Sequence, residues 1–399
     1  FCSSCAIAVC PQCAGTVRPR GGAALPERRT GAAMSVRGEA GWHATHQKAF
    51  GKERWPTLYK ALKSKVSHVA FVNPFMPPEA QASVREQHGL RAHASIPAVW
   101  EKIGGEALAR DDDEGIAAPP GCADGEPAAG ASGGAITPCA EAVDDSTLPL
   151  YFLDGASVIA AMCLGAQPGH SVLDLCAAPG GKSVVLASRL FAAASAGATT
   201  VAPGGLLVCN EASRSRAQRL QRVVSSWVPK EMMLPGGGVV ITNVDASGSA
   251  GAPSALTRFG LFDRVLVDAP CSSDRHLAHQ GKVALSHWAS GVVKSNSERQ
   301  LDILLCAANL VKPGGLILYC TCALAEQEND GVVAKFLKKG GRNFVSESLE
   351  DPEALGGGDD MAKLVELVQP VAETTAAGAL ILPDRASYGP MYIARLRRL

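Results

Sequence analysis

The stretch that most constrains the fold is Ser171 to Ser183, SVLDLCAAPGGKS. Val172, Leu173 and Leu175 form an apolar run of the length of a buried strand, with Asp174 set inside it. Ala177, Ala178, Pro179, Gly180 and Gly181 follow, and Lys182 and Ser183 then open an apolar stretch to Leu190 with helical character. A strand, a glycine turn and a helix N-terminus in that order let backbone N–H groups approach a ligand closely, at a helix end that favours negative charge. Two familiar glycine loops do not fit. A Walker loop needs glycine six positions before Lys182, where this chain has Cys176, and the dinucleotide pattern G-x-G-x-x-G is absent. What remains is a site for a nucleoside cofactor of modest charge, set against a plain glycine-rich turn that binds nothing.

Downstream the pattern repeats. Apolar runs at Leu206–Cys209, Val239–Ile241, Val265–Val267 and Leu316–Tyr319 end in Asn210-Glu211, Asn243-Val244-Asp245, Asp268-Ala269-Pro270-Cys271 and Cys320-Thr321-Cys322. Helical spacing is expected at Ala156–Leu164, Arg214–Trp227, Ser297–Leu310 and Glu328–Lys339. Lys312-Pro313-Gly314-Gly315 is expected as a helix stop, and Met391–Ile393 as a last strand carrying Arg395, Arg397 and Arg398. Alternation at this spacing predicts an α/β fold with a parallel sheet covered by helices on both faces. Ligands of such sheets sit beyond the carboxyl ends of the strands. Five strands here end in polar or thiol groups at one edge, more than solvated loops alone account for.

The 399 residues suggest two domains, or one with extensions. Residues 1–41 read as a leader. Its arginines Arg18, Arg20, Arg28, Arg29 and Arg37 resemble a transit segment, or the segment is non-native with Met34 as the start. Phe1 as first residue implies a fragment or a processed chain. The pairs Cys2/Cys5 and Cys10/Cys13 are four residues apart, too close for a zinc ribbon. Residues 42–103 form an N-terminal extension in which Lys48, Lys52, Arg54, Lys60, Lys63 and Lys65 are interleaved with Phe50, Trp55 and Tyr59. Basic and aromatic residues in alternation suit a phosphate backbone and stacked bases; an amphipathic helix with its aromatics in the core reads the same way. Residues 104–147 are expected as a flexible linker, with an acidic run at 111–114 and an Ala/Gly/Pro segment at 117–137. Residues 148–399 are the catalytic domain. Thirty-eight basic and 38 acidic residues balance, so any nucleic-acid site must be a local patch. No apolar run reaches the ~18 residues of a membrane helix. Thirteen cysteines in a chain of this length, several in apolar segments, argue for reduced thiols rather than a secreted disulfide framework.

The strand ends suggest a chemistry. Glu211 is placed to accept hydrogen bonds from both hydroxyls of a ribose, and Asp245 to meet an adenine amino group. With the glycine loop these describe S-adenosyl-L-methionine better than a triphosphate, which calls for cations and magnesium ligands. Cys271 and Cys322 then point to a pyrimidine. Carbon 5 of cytosine is a weak nucleophile, but a thiolate adding at carbon 6 makes an enamine whose carbon 5 can attack a methyl sulfonium. A base must afterwards remove the carbon 5 proton. A cation such as Lys182 would favour the thiolate, and Asp268 could bond the pyrimidine edge.

The chain resembles the NSUN (Nop/Sun) family of RNA cytosine-5 methyltransferases in DLCAAPGGKS (174–183), NEASRSR (210–216), DRVLVDAPCSSDRH (263–276), KPGGLILYCTC (312–322) and GPMYIARLRRL (389–399). Ser272-Ser273-Asp274-Arg275-His276 after the Pro-Cys pair, and GKERWPTLYKAL (51–62) with VAFVNPF (69–75), resemble its small mitochondrial branch. The resemblance implies a Rossmann-like methyltransferase sheet with a small N-terminal α+β extension, and activity on rRNA or tRNA. It implies that Cys322 attacks carbon 6 and that Cys271 helps release the product. It also implies that Cys176, Ala177, Ala178, Pro179, Gly180, Gly181, Lys182, Glu211, Arg216, Asp245 and Asp268 bind the cofactor. DNA cytosine-5 methyltransferases use their Pro-Cys thiol as nucleophile, so spacing alone does not choose between the cysteines. Cys320 replaces the family's usual serine; it should point away from Thr321 and stay passive. The Gly/Ala insertions at 117–137 and 192–205 exceed the family norm.

Two rivals remain. An amino-group methyltransferase would end its fourth strand in Asn/Asp-Pro-Pro-aromatic rather than Asp268-Ala269-Pro270-Cys271. A non-catalytic RNA-binding or ribosome-assembly factor would keep the fold without turnover. His276 and His279 beside Cys271 invite a metal reading, but no closed ligand set accompanies them, so no metal is expected. Expected partners are RNA and a protein that positions it, with no membrane. A mitochondrial location, or another RNA-containing compartment, rests on the leader and the branch.

Overall fold

The computed structural model describes residues 36–94, 96, 98–102, 147–191, 205–248, 252–340, 342–349 and 359–399. The cysteine pairs and the first arginines of the leader, the acidic run, and the segments 117–137 and 192–204 lie outside the described residues.

The first helix, Gly38–Phe50, starts inside the stretch read as leader. Gly38 N–H bonds Trp288 O at 2.8 Å and Ser290 N–H bonds Val36 O at 3.0 Å, so the chain is held against the catalytic part from residue 36. A second helix, Trp55–Lys63, begins with Pro56 in its first turn, where a missing N–H does no harm. Then come β1 (His68–Val72), the helix Pro78–Gln87, β2 (Leu90–Ala92), β3 (Trp100–Lys102) and β4 (Leu150–Asp154). These strands make an antiparallel sheet in the order β2-β3-β1-β4. β4 therefore belongs to the N-terminal sheet although it lies in the stretch read as catalytic domain. It pairs with β1 in an unbroken register from His68↔Asp154 to Val72↔Leu150.

The larger sheet contains β5 (Ser171–Asp174), β6 (Leu206–Asn210), β7 (Val239–Thr242), β8 (Phe262–Asp268), β9 (Val311–Thr321), β10 (Phe344–Glu347), β11 (Ala372–Thr374), β12 (Ala379–Ile381) and β13 (Met391–Arg398). Their order is β11-β12-β13-β9-β8-β5-β6-β7, with β10 paired to β13. The strands from β7 across to β9 are parallel. Beyond β9 the pairing is antiparallel. The sheet is thus mixed where a parallel one was expected. The last strands follow one another through short connections, which antiparallel pairs allow and parallel pairs do not. The chain turns from β5 outward to β6 and β7 and then returns to β8 on the other side, so the switch point lies beside β5.

Two local expectations shift. Lys312-Pro313-Gly314-Gly315 lies within β9, where Gly314 has φ +71° and the register to β8 slips between Phe262 and Arg264, a bulge rather than a free turn. The helix expected from Ser297 begins at Ser290, and the one expected from Glu328 begins at Asp330 after a tight turn over Glu326–Glu328.

Alternation along the strands builds two cores. Val172, Leu207, Leu266 and Leu318 bury one face under the helices Gly155–Cys163, Gly181–Leu190 and Arg214–Trp227. Leu173, Val208, Val265 and Tyr319 bury the other with the helix Ser290–Leu310 and with Trp42, Trp55, Leu58 and Leu62 of the N-terminal helices. The aromatics of the N-terminal extension are therefore core. Trp42, His43, His46, Trp55 and Tyr59 pack ring against ring. Arg54 is engaged as well, bonding Asp384 at 2.7 Å and Glu373 at 2.9 Å. Lys48, Lys52, Lys60, Lys63 and Lys65 stay exposed, Lys63 with its ammonium 5.6 Å from the centre of the Tyr59 ring.

Candidate active site

The glycine loop is braced from the neighbouring strand. Ala177 N–H bonds Asn210 O at 2.7 Å. Asn210, buried, donates to Leu175 O and Val244 O and accepts from Thr242 Oγ1 and Val244 N–H, all within 2.9–3.0 Å. One side chain thus ties together the ends of β5, β6 and β7. Gly180 sits at φ +118°, and a Cβ there would meet Val223 Cγ1 at 2.9 Å, so both the backbone and the space require glycine. Asp174, wholly buried, accepts from Ser183 Oγ at 2.7 Å, while its Oδ1 has no hydrogen-bond partner. Burial pushes this carboxyl up to about 7.

Glu211 accepts from Ser213 N–H at 2.9 Å, and its buried Oε2 lies 3.3 Å from Arg216 Nη1 without a hydrogen bond. Arg216 also donates to Ala178 O at 2.8 Å, joining the second strand end to the first loop. Asp245 is exposed; the side-chain and backbone donors of Ser247 hold its carboxyl below the usual range. Cys176, Glu211, Asp245, Pro270 and Arg299 line one cleft at the carboxyl ends of the parallel strands. Ala177, Ala178 and Gly180 are buried in the loop, with Pro179 exposed. Asn210 and Arg299 were not expected: an amide at a strand end and one arginine on a helix carry no spacing signal.

The thiols lie at the next two strand ends. β8 and β9 are parallel neighbours with Asp268 opposite Cys320, which brings the loops that follow together. Cys271 Sγ and Cys322 Sγ are 3.2 Å apart, and both are free. The distance is far above the ~2.05 Å of a disulfide. Their contact lowers Cys322 and raises Cys271. Cys322 is lowered first by Cys271 and then, against burial, by the Ser273 hydroxyl; Cys271 is raised by the Cys322 contact, by burial and by the charge of Glu328. Glu328 is itself buried, taking Ser272 N–H at 3.0 Å and Gln300 Nε2 at 2.8 Å.

Lys182 is not chiefly a partner of the thiols. Its Nζ bonds Asp268 Oδ2 at 2.8 Å and reaches Ser157 Oγ at 3.3 Å. Burial opposes its charge, but the Asp268 carboxylate holds the ammonium above the ordinary lysine value. Cys320 turns away from Thr321, whose hydroxyl donates to Asn329, and its thiol donates to Asp268 Oδ1 at 3.5 Å. Cys320 and Cys322 both lie within the field of Asp268 and Lys182. Burial and Asp268 keep Cys320 protonated. His279 meets Leu62 O and His276 meets Gln280, and among the described residues no group of three or more His, Cys, Asp or Glu side chains is arranged to hold a metal.

Residues 161–397 match the family described as 16S rRNA methyltransferase RsmB/F. The chain belongs to the RsmB/F family. RsmB/F and NSUN proteins form one family of RNA cytosine-5 methyltransferases that depend on S-adenosylmethionine. Among its relatives is the mouse 5-cytosine rRNA methyltransferase NSUN4, 29% identical over 89% of this chain and 87% of that protein. The mouse mitochondrial tRNA (cytosine(34)-C(5))-methyltransferase is 30% identical over 62% of this chain. The chain spans 63% of that protein and, at 32% identity, 59% of bovine NSUN4. In fold it is similar to NSun6 from Pyrococcus horikoshii, solved with SFG, at a TM-score of 0.57 and 16% identity, covering 89% of this chain and 97% of that one. The cleft fits the RsmB/F cofactor on its own chemistry. A buried carboxylate oxygen of Glu211 awaits donors, the loop is shaped by glycine, and no cation cluster for a triphosphate lines the cleft.

Proposed function

We propose that this chain methylates carbon 5 of a cytosine in rRNA or tRNA, using Cys322 as nucleophile and Cys271 in product release. The observation that carries the reading is the pair of free thiols 3.2 Å apart, beside a cleft that fits a nucleoside cofactor. S-adenosylmethionine supplies an electrophilic methyl group. Glu211, supported by Arg216, serves the ribose; Asp245 serves the adenine edge; the 176–182 loop shapes the rest of the site. Cys322 Sγ adds to carbon 6, and the ring electrons move to carbon 5, which takes the methyl group. Asp268, fixed by Lys182, serves the pyrimidine edge as that charge develops.

The asymmetry of the thiols supports this assignment. Cys322 is held below the ordinary thiol value and Cys271 above it, with Glu328 disfavouring charge on Cys271, so Cys322 is the easier of the two to ionise. Once Cys322 is bonded to carbon its charge is gone, and so is the largest influence holding Cys271 protonated. Cys271 can then release its own proton to solvent and, as thiolate, take the carbon 5 proton; the C5–H electrons re-form the C5=C6 bond and expel the Cys322 sulfur as thiolate. The exposed lysines 48, 52, 60, 63 and 65 supply phosphate contacts, with a protein partner completing the positioning. The mitochondrial relatives support a mitochondrial location.

The test is methyl transfer to rRNA and tRNA transcripts with site mapping of 5-methylcytosine. Cys322→Ala should lose transfer and keep cofactor binding, and Cys271→Ala should accumulate a covalent RNA complex on denaturing gels. Normal activity in Cys322→Ala overturns the nucleophile assignment.

A further inference from the structure

Ser273 is one of two non-glycine residues with positive φ among the described residues, at φ +51° and ψ +55°. That region is unfavourable for a residue with a Cβ. Ser273 also occupies the N-cap position of the helix Asp274–Gln280, where a serine hydroxyl ordinarily accepts a bond from the helix. Here it makes no such cap. Its Oγ lies instead 3.5 Å from Cys322 Sγ and 3.9 Å from Cys271 Sγ. The next residue explains how the strain is held. Asp274 is buried and accepts from Trp42 Nε1 at 2.8 Å, His46 Nε2 at 3.1 Å, Leu324 N–H at 2.7 Å and Ser272 Oγ at 3.2 Å. Ser273 is therefore fixed between two anchored residues, with its hydroxyl presented to the sulfurs.

We propose that Ser273 is a catalytic residue that places negative charge on Cys322 rather than Cys271, by donating its hydroxyl hydrogen to the Cys322 sulfur in its thiolate form. The proposal rests on Cys322 being the nucleophile. The charged and titratable groups around the pair are Asp268 from the β8 end, Lys182 from the helix Gly181–Leu190, Glu328 beside Cys271, and Tyr319 and Cys320 from β9, both of which burial keeps protonated. Asp268 and Lys182 neutralise one another. Glu328 repels charge from Cys271 and helps the same asymmetry. The Ser273 backbone N–H favours charge on Cys271, and its hydroxyl, 3.5 Å from Cys322 against 3.9 Å from Cys271, is the uncharged group that favours Cys322; substitutions of the side chain remove the second effect and keep the first.

The test is the pH dependence of iodoacetamide alkylation at Cys322, read by peptide mass spectrometry in the full chain for wild type, Ser273→Gly and Ser273→Ala. Glycine removes the hydroxyl and relieves the strain; alanine removes the hydroxyl and keeps the strain. Both variants should raise the Cys322 titration by about one unit, roughly tenfold less thiolate at a given pH. The acidic limb of kcat/KM should move with it while cofactor affinity stays constant. Wild-type titration in both variants, or a shift in the alanine variant alone, overturns the proposal. A shifted Cys322 titration in a protein that methylates no RNA upholds Ser273's effect on the thiol and overturns the underlying reading instead.

Discussion

Replacing Asp274 with alanine should disconnect the N-terminal helix from both cysteine loops at once. The carboxylate serves four donors on three segments: Trp42 and His46 on the first helix, Ser272 beside Cys271, and Leu324 two residues after Cys322. The serine hydroxyl can rotate and the imidazole can change tautomer. The Trp42 indole N–H and the Leu324 amide have no such freedom, and each buried donor left unpaired costs about 1–3 kcal/mol. The expected loss is about 4 kcal/mol, a large share of the roughly 5–15 kcal/mol that holds a domain folded. It should be read from urea unfolding, together with faster hydrogen exchange across 38–50. Burial raises the Asp274 carboxyl, but His46, the Leu324 amide and Trp42 together hold it below its ordinary value. Its contribution is therefore present above about pH 4 and lost as pH falls through the lower folded value. The gap between wild type and Asp274→Asn should narrow below pH 4. A loss under about 1 kcal/mol for the alanine variant, or unchanged exchange in the first helix, refutes the reasoning.

Asn73 is buried, donates to Leu148 O and Trp227 O at 2.9 Å each and accepts from Phe75 N–H at 2.9 Å; Asn73→Ala should cost about 2–4 kcal/mol in urea unfolding. Asp174 behaves in the opposite sense to Asp274. Its folded value near 7 exceeds the unfolded one, so stability falls as pH rises from about 4 to 7 in the cofactor-free protein, and Asp174→Asn should remove that slope in a pH series of unfolding midpoints. Glu211→Ala should weaken cofactor binding about tenfold or more by calorimetry if Glu211 serves the ribose as proposed, since Arg216 is also left without its acid.

The strand ends were readable because each is a short apolar run closed by a polar residue, and β5, β6, β7 and β8 fall where that pattern put them. The helix does stop just before Lys312–Gly315, at Leu310, but the next strand starts earlier than its apolar run. Proline and glycine there form a bulge inside β9 that brings Lys312 Nζ to 2.9 Å from both Asp263 oxygens. Cys320 was read in part: its opposition to Thr321 follows from the strand period, whereas its contact with Asp268 depends on the neighbouring strand and carries no local signal. Asn210 was readable as the end of its strand but not as a brace: its four bonds join segments from three strands, which nothing local signals.

The N-terminal extension illustrates how one pattern serves two purposes. Interleaved lysines and aromatics fit RNA as well as they fit an amphipathic helix, and composition does not divide the labour. Burial does. Trp42 and Trp55 enter the core, and Trp42 and His46 extend through Asp274 to the chain beside each thiol. That leaves the lysines alone for phosphate. The extension then supports the chemistry before it touches a substrate, because the thiol contact depends on register. β8 and β9 must meet with Asp268 opposite Cys320 for Cys271 and Cys322 to come within 3.2 Å. A slip of one residue would turn Cys320 to the far face of the sheet and shift the loops that carry both thiols. Asp274, bonded to Ser272 on one side and Leu324 on the other, fixes the two loops just beyond that register. Weakening the N-terminal helix should therefore impair the thiols before it impairs the cofactor cleft, whose braces lie among β5, β6 and β7.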